Sequence, residues 1–340
     1  MRSIYDLNIT DLEKYFLEHG EKKFKAIQVF EWLYQKKVKS FDEMTNLKNE
    51  IRTTLKKDFF FGDIKVLKQQ NDEDVKKFLF ELSDKERVEA VLMYHDYGNS
   101  LCISTQVGCN MGCKFCESGR LKKVRNLETH ELILQILKIE ELLKERISHV
   151  VVMGIGEPFD NYDNLIKFID IINHNKALAI GSRHITVSTC GIIPKIKEFI
   201  LLPYQVNLAI SLHAPTNKLR DKIMPINKVY KLEDLISILK EYIKKTNRRV
   251  TFEYVLLKDV NDTIECAKEL AVLIKGMNCY VNLIPYNETN NIDFKRSSSI
   301  QITRFYDILK QNKINVTTRR EFGSKISAAC GQLRSVKEDV

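Results

Sequence analysis

From about residue 100 onward the chain alternates between short apolar runs and longer amphipathic ones, and no other feature restricts its fold so strongly. The runs 101–105, 149–153, 184–188, 206–212, 249–257, 280–284 and 315–318 are rich in Val, Ile, Leu and Thr and read as strands. Between them, 128–145, 162–173, 193–201, 232–245, 263–275 and 298–312 repeat apolar residues at helical spacing, with Thr129 as a candidate N-cap. Strands separated by helices build βα units on a parallel sheet. Six units and a closing strand predict an α/β fold, a partial (βα)6 barrel. Chemistry in such barrels collects at the carboxyl ends of the strands. The polar stretches 154–158, 188–191, 211–214 and 285–287 each follow a strand, as that placement requires.

The first ninety residues read differently. Helical patterns cover 11–19, 24–36 and 41–57, and 66–93 reads as short strands with polar turns. Lys22, Lys23, Lys25, Lys36, Lys37 and Lys39 surround an apolar stripe of Phe24, Ile27, Phe30, Leu33 and Tyr34. This predicts a small basic, mainly helical accessory domain over 1–92, a core over 93–326 and a C-terminal segment over 327–340. A length of 340 residues with 44% apolar content suits that division and allows a sizeable core.

A net charge of +9 favours a polyanionic partner such as nucleic acid. A solvated Lys-rich surface accounts for the same charge, so both readings stay open. No run approaches the roughly 18 apolar residues of a membrane span. The segment 1–10 carries Asp6 and lacks the apolar stretch of a secretory signal. The expectation is a soluble, cytoplasmic protein with no membrane partner. Eight cysteines in such a chain point to metal binding or catalysis rather than a disulfide framework.

Four of the eight, Cys102, Cys109, Cys113 and Cys116, fall within fifteen residues. Cys109, Cys113 and Cys116 have the spacing CxxxCxxC. Three thiolates on one loop can hold three irons of a 4Fe–4S cubane and leave the fourth iron open to a ligand. Zinc is the alternative metal, but its structural sites want four ligands, and Cys102 and His130 stand at poor spacings for a fourth. Buried small apolar residues are the plainest alternative.

CxxxCxxC with an aromatic residue before its last cysteine, here Phe115, resembles the signature of the radical S-adenosylmethionine (SAM) superfamily. The wider chain resembles the RlmN/Cfr family of RNA adenine methyltransferases over nearly its whole length. That likeness rests on Phe41-Asp-Glu-Met-Thr-Asn46, Tyr97-Gly-Asn-Ser-Leu-Cys-Ile-Ser-Thr-Gln-Val-Gly-Cys109 and Gly154-Ile-Gly-Glu-Pro-Phe-Asp-Asn161. It continues through Ile185-Thr-Val-Ser-Thr189, Ala209-Ile-Ser-Leu-His-Ala-Pro215 and Met224-Pro-Ile-Asn227. Val281-Asn-Leu-Ile-Pro285 and Ala328-Ala-Cys-Gly-Gln-Leu333 complete it.

The resemblance implies a 4Fe–4S cluster on Cys109, Cys113 and Cys116, with SAM bound at its open iron. It implies SAM contacts from Gly156, Glu157, Ser188, Ser211, Leu212, His213 and Asn287. Cys330 matches the methyl-carrying cysteine, Cys102 the second catalytic cysteine and Glu89 the proton acceptor. The implied substrate is adenine 2503 of 23S rRNA, and adenine 37 of some tRNAs, methylated at C2. The implied electron donor is a cytosolic flavodoxin or ferredoxin. Each of these residues also has a plain reading: Glu157 as a helix cap, His213 as a loop histidine, Glu89 as a solvated acid, Cys330 as a buried thiol. Cys190, Cys266 and Cys279 read as structural.

Carbon 2 of adenine is electron-poor, so direct attack on a SAM methyl group is implausible and a radical route is needed. The family's route implies that one SAM methylates Cys330 and a second is cleaved to a 5′-deoxyadenosyl radical. That radical activates the S-methyl group, which adds to the ring. Cys102 then releases the product, leaving a transient Cys102–Cys330 disulfide; thiolate attack on sulfur is ordinary exchange chemistry. The base must be reached unpaired or flipped out. Lys325 and Ser327 replace two acids usual in the family, Cys190 a serine, and Glu117 a small residue. Methylation at C8, a radical activase acting on protein, and a non-enzymatic iron–sulfur or RNA-binding module remain the other readings.

Overall fold

The computed structural model describes residues 1–289, 291–319, 326 and 331–333. Cys330, Lys325 and Ser327 therefore lie outside the described residues.

Three helices build the start of the chain. Helix α1 (Ile9–Glu18) opens on a reciprocal cap in which the Asn8 side chain accepts from Asp11 N and Asp11 accepts from Asn8 N. Helix α2 (Phe24–Phe30) runs on into a wider turn at Glu31–Gln35. The single helix predicted over 41–57 is two elements. A short 3-10 turn at Phe41–Glu43 is capped by Ser40, the chain leaves helical geometry at Met44, and α3 (Asn49–Asp58) begins anew. Beyond the break, Asn46 Oδ1 accepts from Trp32 Nε1 at 2.5 Å. Strands β1 (Arg2–Ser3) and β2 (Phe59–Phe60) pair in parallel and tie the ends of this unit together.

A meander follows: β3 (Lys65–Asp72), β4 (Val75–Glu81), β5 (Arg87–His95) and β6 (Gly98–Cys102), all antiparallel. Next comes the cysteine loop, framed by the short pair β7 (Gln106–Val107) and β8 (Arg125–Asn126). The alternation then runs as α4 (Thr129–Leu143), β9 (His149–Val152), α5 (Tyr162–Asn173), β10 (Ile185–Thr189), α6 (Ile193–Phe199) and β11 (Asn207–Ser211). It ends with α7 (Asn217–Ile223), α8 (Leu232–Thr246), β12 (Val250–Leu256), α9 (Ile264–Leu273), β13 (Cys279–Pro285), α10 (Ser299–Gln311) and β14 (Val316–Thr318).

These strands form one ten-stranded sheet, ordered β14-β13-β12-β11-β10-β9-β6-β5-β4-β3. From β6 through β14 all neighbours are parallel, giving six βα units and a seventh strand. Two polar details differ from expectation. The cap of α4 is Glu128, reciprocated by Glu131, while the Thr129 hydroxyl binds Asn164 Oδ1 at 3.1 Å. Helix α7 was absent from the predicted pattern. It is short and starts on Thr216, whose hydroxyl accepts from Leu219 N.

The helical unit docks on the outer helices of the barrel by specific polar ties. Asn8 Nδ2 donates to Asp170, and Asp6 Oδ1 accepts from His130 N. Lys37 and Lys39 pair with Glu140 and Glu141 of α4, each at 2.7 Å. Two of the six clustered lysines are thus spent on the barrel, whereas Lys22 and Lys23 stay exposed.

Candidate functional site

One cavity opens at the carboxyl ends of the parallel strands. Counting its open mouth, its empty space is about 1270 Å³. Cys109, Cys113 and Cys116 line one side. Gly154, Gly156 and Glu157 line it beyond β9, Ser188 at the end of β10, Ser211 and His213 at β11, and Asn287 beyond β13. Cys102, the last residue of β6, opens into the same space. Residues chosen from separate motifs, up to 185 positions apart along the chain, therefore meet in one place.

Each wall residue is held. The Glu157 carboxylate accepts from Phe159 N at 3.0 Å and from Cys190 N at 2.8 Å. It does cap the turn that follows it, and it also bridges to β10. Burial pushes its carboxyl above the usual range. Gly156 has φ +110°, and a Cβ there would fall 2.7 Å from the Gln106 side chain, so no other residue fits comfortably. His213 adopts a left-handed φ of 56° and its Nδ1 accepts from Val255 N at 2.9 Å. Burial and the nearby Arg220 push the imidazole down to about 3, which keeps it neutral. Its ring meets Phe115 edge-on, with centroids 4.8 Å apart, joining the cysteine loop to the barrel. Leu212 is different: its side chain lies in the barrel core and does not line the cavity.

Arg220 of α7 is fully buried and binds the loops after β10 and β11 from behind the cavity wall. It donates to the carbonyls of Cys190, Ser211 and Leu212 and to Asn227 Oδ1, at 2.7–3.1 Å. Sequence reading missed it. The Thr216 cap ahead of Leu219 and Ile223 signals a helix, but nothing in the sequence marks its arginine as buried. Glu253, buried on β12 and accepting from Asn282 Nδ2, also lines the cavity and was missed. Cys190, read as structural, is buried but forms part of the cavity wall. Cys266 and Cys279 lie in the core as expected.

The residues present fit an iron–sulfur cluster with SAM beside it. Burial raises the Cys109 thiol to about 12 and the Cys113 thiol further, so three thiolates here need cationic charge beside them. Gly119 packs against Cys113, where a Cβ would sit 2.7 Å from its carbonyl oxygen. Among the described residues no three His, Cys, Asp or Glu groups close on one point as ligands of a single ion would. A cubane, which takes each thiolate at a different iron, does not ask for that. His130, weighed as a fourth zinc ligand, is instead bound to Asp6 at 2.9 Å.

The segment after Cys330 is anchored at the same loop. Glu117 N donates to Gly331 O at 2.9 Å and Ser118 Oγ to Leu333 O at 2.8 Å, and Gly331 and Leu333 line the cavity. The Glu117 carboxylate is buried, and neither oxygen has a hydrogen-bond partner among the described residues. Glu89 is buried on β5, not solvated, and Lys77 Nζ of β4 lies 2.5 Å from its carboxylate. Among the described residues no cysteine forms a disulfide.

Comparison with known proteins agrees with this geometry. A family profile for the ribosomal RNA large subunit methyltransferase N-terminal domain matches residues 3–60, and the radical SAM superfamily profile matches 103–271. The chain is 52% identical to a probable dual-specificity RNA methyltransferase RlmN of Spiroplasma citri, covering 100% of this chain and 99% of that one. It is 53% identical to the protein of the same name in Bacillus licheniformis, over 98% and 93%. A crystal structure of a radical SAM methyltransferase from Sphaerobacter thermophilus superposes with a TM-score of 0.92 at 37% identity, covering 98% of this chain and 99% of that chain.

Proposed function

Because this chain belongs to the RlmN family of radical SAM RNA methyltransferases, which use a 4Fe–4S cluster and SAM, we propose that it methylates carbon 2 of adenine in 23S rRNA and in some tRNAs. One observation carries this reading furthest. Cys102, and Gly331 next to Cys330, line the same cavity as the three cluster thiols. An iron–sulfur electron carrier or a protein activase has no use for two further cysteines at that position.

When bound, the cluster and SAM supply a one-electron cleavage and the transferred methyl group. The chain's own residues do the rest. Cys109, Cys113 and Cys116 would hold the cluster, and Glu157, Ser188, Ser211, His213 and Asn287 would orient SAM beside it. Cys330 carries the methyl carbon to the ring, and Glu89 accepts the ring proton. Attack by the Cys102 thiolate on the Cys330 sulfur frees the methylated base and leaves a disulfide, which a reductant then opens. Apolar neighbours such as Val91, Met93 and Ile284 keep the cavity dry. Exposed lysines of the helical unit hold RNA phosphates.

The test is an anaerobic reaction of reconstituted protein with SAM, reductant and either a 23S rRNA fragment or tRNA, read by nucleoside mass spectrometry. The expected product is 2-methyladenosine, absent with Cys330→Ala. Formation of 8-methyladenosine would overturn the choice of carbon. SAM cleavage without any methylated adenosine would overturn the RNA substrate.

A further inference from the structure

Lys77 plays no part in the reaction as described so far, yet its place is unusual. In the register of β4, β5 and β6, Lys77 pairs with Val91, and Val91 pairs with Cys102. Directly opposed residues share a face of the sheet, and so do alternate residues of one strand. Lys77, Glu89, Val91 and Cys102 therefore stand on one face. Val91 and Cys102 line the cavity, and Glu89, paired with Lys77, stands one step further along the same face of β5. The two side chains are 9% and 5% exposed. Main-chain geometry fixes the pair as well. The Glu89 carbonyl accepts from Ser104 Oγ at 2.6 Å, and Ser104 is bridged through its backbone to the Gln135 amide.

A buried ion pair is a poor stabiliser, because desolvating two charges offsets most of their attraction and an apolar pair would serve as well. Its value here lies in what it does to Glu89. Burial alone would favour the neutral acid, which cannot take a proton, whereas a cation at contact distance favours the carboxylate. It also selects one orientation of the two carboxylate oxygens.

We propose that Lys77 is a positioning residue for methyl transfer, holding the Glu89 carboxylate ionised and aimed past Val91 toward the base beside Cys102. This rests on Glu89 being the proton acceptor. In that step the C2–H bond of the Cys330-linked adenine breaks after one electron has left the adduct for the oxidised cluster. The proton forms an O–H bond on Glu89, and the electron pair stays with the ring. The Cys102 thiolate then attacks the Cys330 sulfur: the S–S bond forms as the S–CH2 bond breaks, and the departing carbon, which keeps that electron pair, takes a proton from water to become the methyl group.

The test compares Lys77→Met, Lys77→Arg, Glu89→Gln and the double variant Lys77→Met/Glu89→Gln, all with cluster, SAM and a 23S rRNA fragment. Methyladenosine, 5′-deoxyadenosine and the denaturation-resistant protein–RNA adduct are measured together. Lys77→Met is expected to lower kcat at least about tenfold with KM nearly unchanged, and to accumulate adduct while 5′-deoxyadenosine still forms. Lys77→Arg should restore most of the rate. The double variant should regain thermal stability but not turnover. Lys77→Met matching the unsubstituted protein while Glu89→Gln is impaired overturns the role of Lys77 alone; turnover restored in the double variant overturns the reading of Glu89. Wild-type turnover in Glu89→Gln overturns the underlying reading of Glu89, and this inference with it.

Discussion

The cavity has two walls built on different principles. The barrel wall holds its polar groups by hydrogen bonds to main chain: Glu157 to two amides, His213 to Val255 N, Arg220 to three carbonyls. Such groups have little freedom to move or to change charge, which suits an unchanging cofactor. The meander wall presents Val91, Met93 and Cys102, backed by the Lys77–Glu89 ion pair. Its polar groups answer to each other through charge, which suits proton transfer and thiolate chemistry on an arriving base. Under the proposed roles, SAM binding and methyl transfer draw on separate sides of one cavity and should be separable by mutation.

The comparison breaks first at the cysteine loop, which serves both walls. Cys113→Ala should reduce bound iron, 5′-deoxyadenosine and methyladenosine to background together, by iron assay and product analysis. Arg220→Met comes next. It leaves three buried carbonyls, from the loops after β10 and β11, unpaired, and a cost of about 3 kcal/mol in urea unfolding is expected. Gly156→Ala should weaken SAM binding about tenfold by calorimetry, since φ +110° and the 2.7 Å approach to Gln106 leave no room for a Cβ.

A pH effect sharpens the same wall. His213 binds a proton near 6.5 when unfolded and only at about 3 in the fold. Between those values the unfolded chain holds more protons, so stability falls as pH falls. The slope from this residue is at most about 1.4 kcal/mol per pH unit. Urea midpoints of His213→Gln between pH 7 and 5 should lack that slope. The smallest effect lies outside both walls. Reversing charge at Lys22, Lys23 and Lys25 should weaken RNA binding roughly five- to tenfold at moderate salt and spare SAM cleavage. Unchanged affinity would remove the helical unit from RNA binding.

Much of the barrel wall was legible in the sequence because its markers are local. Each polar motif follows its strand by one or two residues, and the strands follow from apolar runs. The helices at 162–173 and 232–245 were visible for the same reason: their apolar periodicity is strong. The meander wall was far less legible. Glu89 in isolation reads as a solvated acid, because its partner Lys77 is a neighbour only through the β4–β5 register. Arg220 was missed for a related reason: four acceptors make its burial tolerable, and they converge on it only through the fold, the Cys190 carbonyl from 30 residues away. The helix expected over 41–57 was right for Asn49–Asp58 and wrong ahead of it, where the turn at Phe41–Glu43 leaves helical geometry at Met44.

The division between the walls is tested most directly in Cys102→Ala, with 5′-deoxyadenosine and methyladenosine measured from the same anaerobic single-turnover reaction. Separate support by the two walls predicts 5′-deoxyadenosine at the level of the unsubstituted protein, with methyladenosine absent and the RNA retained on the protein. Loss of both products in parallel, with cluster and SAM binding intact, would contradict it.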